Sequence, residues 1–192
     1  MLAKRFEGSR RSGVRIPSGP FQVGDKIYLT EKEIRKKIER ENLIENYIDL
    51  ETQIKENSFD LTLSKIEEIK EKGKIDFSNE ERHIPSTNEI KPRKKNSKDK
   101  YGWWMLSEGN YLAETNEEIN IPKNTIIIQR PRLSVTKSGV RIPTQVLTSK
   151  EPMKTKFSLQ VNNKNGFEIK ENARIITITF IELKKKKPGF IE

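Results

Sequence analysis

An antiparallel, mainly β sandwich or barrel is the fold class this sequence predicts, and three observations predict it. Short runs rich in Ile, Phe, Val and Thr recur along the second half, notably residues 126–128, 157–162 and 174–183. Turn-forming clusters such as NKNG at 163–166 separate them at short-strand spacing. A single short segment near the amino terminus carries helical punctuation, so helix is a minor component.

Composition bounds the function. The chain has 192 residues, enough for one domain plus appendages, with 32% hydrophobic and 34% charged residues, so the core is small and concentrated. The net charge of +10 suits a polyanionic partner but also a heat-adapted surface. There is no cysteine and one histidine, His83, which excludes disulfides, thiolate chemistry and the His/Cys zinc set of nucleobase deaminases. No run of 18 apolar residues and no apolar block near the start occur, so a cytoplasmic protein without membrane span is expected.

In chain order, residues 1–22 read as a disordered basic tail, with five Lys or Arg against one Glu. Its SGVRIP recurs at 138–143, but the flanks differ and no structural repeat follows. GVRIP is also what the T-arm of a transfer RNA gene reads as in one frame, so the expected native start lies near Val23 or Ile27. The domain then spans 23–183. Thr30 and Glu33 form a capping box, with Leu29 and Ile34 at staple positions, which predicts a helix ending near Asn42. NSFDLTLS, at 57–64, alternates as a half-buried strand with Asp60 on its polar side. Residues 65–74 read as strand edge or loop, and 91–100, with six basic residues, as a mobile surface loop. Trp103 and Trp104 open a compact segment; large aromatics serve a core or subunit contact more often than a stacked base. Residues 117–124 turn around Pro122 into the β-branched run 126–128.

Function concentrates in residues 126–143, IIIQRPRLSVTKSGVRIP. A strand gives way to Arg130, Arg132, Ser134, Thr136 and Lys137, whose forks, hydroxyls and turn N–H groups suit a phosphate chain. Alone, such a stretch is more often an ordinary basic loop at a strand end. A further basic tail, 184–192, closes the chain.

The order of segments resembles the family of dCTP deaminases and trimeric dUTPases, especially its archaeal members, from about Leu29 to Leu183. TEKEIRKKIE is similar to the family's opening helix and IKENSFDLTL to its Asp-Leu-Arg-Leu motif. WMLSEGNYLAETNEEINIPKN leads to PRLSVTKSGVRIP, which resembles the Arg-Ser-Ser-x-x-Arg-x-Gly motif, and GFEIKENARIITITFIEL resembles the closing strands with their Arg174. The resemblance implies a distorted antiparallel β-barrel with a short amino-terminal helix, assembled as a homotrimer with sites shared between subunits. It implies dUTP or dCTP as substrate, with Mg2+ on the phosphates and no metal ligands from the chain. Arg132, Ser134 and Lys137 would bind phosphate, and Asp60, Gly139 and Arg174 would be structural.

Departures from the motifs bear on activity. Leu133 and Lys137 replace a Ser and an Arg. Gln160 stands where the deaminase has its general acid/base Glu, and an amide cannot exchange a proton near neutral pH. No Asp lies between residues 147 and 151, where the dUTPase activates water, leaving Glu151 as the substitute. Thr177 replaces a customary Gln, and the glycine-bearing closing segment is missing. The leading expectation is a dUTP diphosphatase or dCTP deaminase. A catalytically degenerate binding or scaffold trimer is the second reading, and a nucleic-acid binder the third; nucleic acid is not the expected partner.

Overall fold

The computed structural model describes residues 28–148 and 151–183. The tails read at 1–22 and 184–192, and Lys150, lie outside the described residues. Helix α1 (Glu31–Glu41) starts where the capping box places it: the Thr30 N–H donates to Glu33 Oε2 at 2.8 Å. Ile34 and Ile38 form its narrow buried stripe, and Asn42 ends it in the left-handed region at φ 51°. The Leu29 N–H donates to the Phe180 carbonyl at 3.1 Å, which ties the helix start to the last strand.

After α1 come β1 (Ile44–Glu45), α2 (Leu50–Gln53), β2 (Ile54–Lys55), β3 (Ser58–Ile69), β4 (Thr87–Glu89), β5 (Trp103–Leu106), β6 (Gly109–Ile119) and β7 (Thr125–Pro131). Then follow α3 (Leu133–Lys137), β8 (Val140–Arg141), β9 (Gln145–Leu147), β10 (Met153–Val161), β11 (Phe167–Lys170) and β12 (Arg174–Glu182). One antiparallel sheet has the order β8-β10-β6-β3-β12-β7-β9. Its pivot is β3, whose first half pairs with β12 (Phe59 opposite Ile178) and whose second half pairs with β6 (Ile66 opposite Ala113). A register shift between Leu63 and Lys65 marks the change, and such bulges bend a strand. The edge strands β8 and β9 are joined by residues 142–144 alone, which span at most about 14 Å. The two edges therefore turn toward one another, and the sheet curls into a half-barrel of the mainly β, antiparallel class expected.

Phe59, Leu61, Leu63, Ile66, Ile119, Ile127, Leu159 and Phe180 fill the curl and are fully buried. One expectation changes here. The strand read at 57–64 is buried on both faces from Ser58 to Leu63, because α2 packs against it, so Asp60 is 3% exposed rather than on a solvated face. Of the two alternatives read for residues 65–74, 65–69 take the strand and continue β3. A second sheet, the β5–β11 ribbon, lays Trp104, Leu106 and Ile169 on the core.

Candidate functional site

Four elements meet at Asp60. Thr177 lies directly opposite it across β3–β12, and the Thr177 hydroxyl donates to Asp60 Oδ1 at 2.7 Å. The other oxygen, Oδ2, holds two guanidinium groups: Arg132 at 3.1 Å and Arg174 at 3.3 Å. Arg174 also donates to the Thr52 carbonyl at 2.8 Å, and the Arg132 N–H donates to the Ile175 carbonyl at 3.0 Å. Two cations on one carboxylate leave surplus positive charge. Arg132 faces a hollow of about 400 Å3 that Lys55, Arg130 and the acid Glu56 also line.

Arg132 is the N-cap of α3, so the guanidinium pair stands at the start of this short helix. Val135 is buried and pins α3 to the sheet, while Ser134 and Lys137, three residues apart, share its exposed side. The helix closes when Ser138 Oγ donates to the Ser134 carbonyl at 2.9 Å. Gly139 follows at φ 76°, and a Cβ there would lie 3.0 Å from Asn163 Cβ. Only glycine suits both the left-handed backbone and the close approach. The Asn162 N–H donates to the Gly139 carbonyl at 2.9 Å, and Asn163 Nδ2 donates to the Ser138 carbonyl at 3.3 Å, binding the turn to the end of β10.

Gln160 sits at that end of β10, directly opposite the exposed Arg141 of β8. Arg141 is a neighbour that sequence reasoning missed; its only signal was a cation in the short stretch after the motif's glycine. The structure thus gathers Asp60, Arg132 and Arg174 at one end of α3 and Gly139, Gln160 and Arg141 beyond the other. Glu151 stands elsewhere. It lines a hollow of about 230 Å3 with Glu41, Leu43, Asn120 and Pro122. Pro122 precedes β7 and Arg132 follows it, so seven strand residues, roughly 20 Å, separate Glu151 from the arginines of its own chain.

Glu117, also unforeseen, is a carboxyl with 0% exposure and no ion pair among the described residues. Its Oε2 accepts from the Thr62 N–H at 2.9 Å. Its Oε1 accepts from the Thr62 hydroxyl at 2.6 Å and from Gln53 Nε2 at 2.7 Å. Burial pushes this carboxyl above its ordinary value, while the hydrogen bonds from Thr62 and Gln53 pull the other way without overcoming it.

Comparison with known proteins matches residues 28–183 to the dCTP deaminase-like family model. A probable deoxyuridine 5'-triphosphate nucleotidohydrolase of Archaeoglobus fulgidus is 35% identical over 162 residues, 84% of this chain and 92% of that protein. The protein of the same name from Methanosarcina mazei is 37% identical over 156 residues, 81% of this chain and 88% of that one. Among solved structures, the 2'-deoxycytidine 5'-triphosphate deaminase of Agrobacterium tumefaciens superposes with a TM-score of 0.59 at 12% identity. That match covers 81% of this chain and 49% of the deaminase, and it speaks for the fold alone. From the match over 156 consecutive residues and relatives above 30% identity across most of the chain, the protein belongs to the dCTP deaminase-like family.

Proposed function

We propose that this protein acts in deoxypyrimidine triphosphate metabolism as a cytoplasmic dUTP diphosphatase, cleaving dUTP to dUMP and pyrophosphate. The observation that carries the reading is the Asp60 corner, where Arg132 and Arg174 share one carboxylate at the start of α3. The fixed Asp60 holds the guanidiniums before any ligand arrives, and preorganised donors stabilise charge developing on a leaving pyrophosphate. Arg132, Ser134 and Lys137 take the phosphates, and Mg2+ rides on the triphosphate, whose oxygens suit a hard cation. The names of the archaeal relatives support dUTP over dCTP as substrate. Gln160 supports it too, because deamination needs a proton-exchanging group at that position.

In this reading water attacks the α-phosphorus, the bond from that phosphorus to the bridging oxygen breaks, and pyrophosphate leaves. Glu151 accepts the water's proton. In this reading the carboxylate reaches the phosphates from a neighbouring subunit, which the length of β7 between Glu151 and Arg132 within one chain supports. The reading therefore includes a homotrimer with shared sites. The second reading, a nucleotide-binding trimer without turnover, rests on the amide at Gln160 and on Leu133, 66% exposed where the motif has a hydroxyl.

The test is incubation of purified protein with dUTP or dCTP and magnesium, following pyrophosphate, dUMP and dUTP. Pyrophosphate and dUMP from dUTP are the expected products. Glu151→Gln should lower turnover about a hundredfold or more, the usual worth of a general base. Unchanged turnover in that variant removes Glu151 from the mechanism, and nucleotide binding without products selects the second reading.

A further inference from the structure

Trp103 and Trp104 are chain neighbours in opposite environments. Trp104 is 2% exposed and donates its indole N–H to the Ile90 carbonyl at 2.7 Å, so it is the core aromatic. Successive strand residues point to opposite faces, which places Trp103 and Met105 on the outer face of β5. Residues directly opposite in antiparallel strands share a face. Trp103 faces Arg93 on one side, through reciprocal N–H to carbonyl bonds of 2.8 and 2.9 Å, and Lys170 on the other. The outcome is a row of Arg93, Trp103 and Lys170. Beside it, a groove of about 330 Å3 is lined by Ile90, Lys91, Arg93, Trp103 and Met105, the last 54% exposed.

The charge around this face is one-sided. Residues 89–105 and 164–171 hold eight basic and four acidic side chains. All four acids are engaged: Glu89 with Lys91, Glu168 with Lys95, Asp99 with the Asn96 N–H, and Glu171 with the Gly102 N–H. Arg93, Lys94, Lys98, Lys100, Lys164 and Lys170 have no ion pair among the described residues. Lys95 and Lys170 place their ammonium groups 4.5 and 5.5 Å from the Trp103 ring centroid. An aromatic platform set among flexible cations serves a chain that alternates flat bases with phosphates. A single nucleotide has too few phosphates to engage cations spread over β11, the Arg93 bridge, the loop of residues 94–100 and the turn at Lys164.

We propose that the outer face of β5 binds single-stranded nucleic acid, with one base stacked on Trp103 and Arg93, Lys170 and the adjoining lysines on the backbone phosphates. Lys170 leaves the ring for the phosphates as the base arrives, exchanging one favourable contact for another, while Lys95 moves off the ring and keeps its pair with Glu168. The face lies on a ribbon separate from the sheet that carries Asp60 and Thr177, so the inference is independent of the proposed dUTP chemistry.

The test titrates full-length protein with the oligonucleotide dT12 at low salt and follows tryptophan emission. With one of two tryptophans buried, quenching reports on Trp103. Saturable quenching that weakens steeply with added salt is expected. Trp103→Ala should weaken dT12 binding about ten- to a hundredfold by anisotropy of a labelled oligonucleotide. The combined Arg93→Gln, Lys170→Gln variant keeps both tryptophans and should flatten the salt dependence. Turnover of dUTP should be unchanged in both. Three results would overturn the proposal: no quenching at low salt, binding indifferent to Trp103→Ala, or equal quenching by polyglutamate, which would point to an acidic protein.

Discussion

Asp60 and Glu117 are both buried carboxyls, and one amide ties the two residues together: Gln53 Nε2 donates to the main-chain carbonyl of Asp60 at 2.9 Å and to the carboxyl oxygen Oε1 of Glu117 at 2.7 Å. What they face differs. Asp60 meets two guanidiniums at the mouth of an open hollow, whereas Glu117 is sealed among a hydroxyl and two N–H donors. The first arrangement leaves positive charge for a solute to use. The second leaves nothing to a solute and burdens the fold with a desolvated acid. Removing Asp60 should therefore have the largest effect, because it strands two cations at once. Asp60→Ala is expected to cost about 3 kcal/mol of stability, near the low end for a broken buried pair because both arginines retain some solvent. Urea unfolding at fixed protein concentration checks this, and a loss below about 1 kcal/mol would mean that the arginines find other partners.

Arg132 tests the other half of the contrast, what the corner offers outward. Arg132→Lys keeps the charge but not the fork, so binding of a non-hydrolysable dUTP analogue should weaken about tenfold to a hundredfold. The unfolding midpoint should move much less, because Arg174 still pairs with Asp60. If calorimetry found affinity unchanged and stability lowered, Arg132 would be as purely structural as Glu117.

The two carboxyls also differ in how legible they were. Capping chemistry is local, so Thr30, Glu33 and Asn42 could be read directly, and the alternation of Phe59, Leu61 and Leu63 gave a strand. That period reports one buried face and is silent about what covers the other. Asp60 therefore looked solvated until α2 was seen to pack over β3. Glu117 was hidden for a related reason. It continues the inward series of Ala113 and Thr115 toward Ile119, but a charged residue within that series reads as a register break unless its donors, 55 and 64 residues away, are known. The turn at residues 132–139 was legible through motif order, whereas the separation of Glu151 from Arg132 depends on which end of β7 each occupies. Likewise, the pair Trp103–Trp104 read as a core or subunit contact without saying which ring enters the core.

The smallest effect is the most discriminating, because it asks whether Glu117 is held neutral. Its carboxyl is raised in the folded protein, so it binds its proton more tightly there than in the unfolded chain. Its contribution to stability is then fully present below the ordinary value, about 4.3, and is lost as pH rises through the raised one. Glu67 and Glu71 behave oppositely. Lys65 holds the first below its ordinary value and the Ser86 donors hold the second, so their contributions are lost as pH falls. Wild-type melting alone mixes these opposed trends. Glu117→Gln separates them, since it deletes one titration and leaves the others. At pH 4.5 the variant should be less stable by about 1 kcal/mol, because its amide nitrogen faces a donor where an oxygen accepted. As pH rises toward 7.5 that deficit should shrink, since wild type alone loses the stabilising proton. A deficit constant across the range would show that Glu117 is ionised throughout, its three donors outweighing burial, and the contrast with Asp60 would then be one of partners rather than of charge.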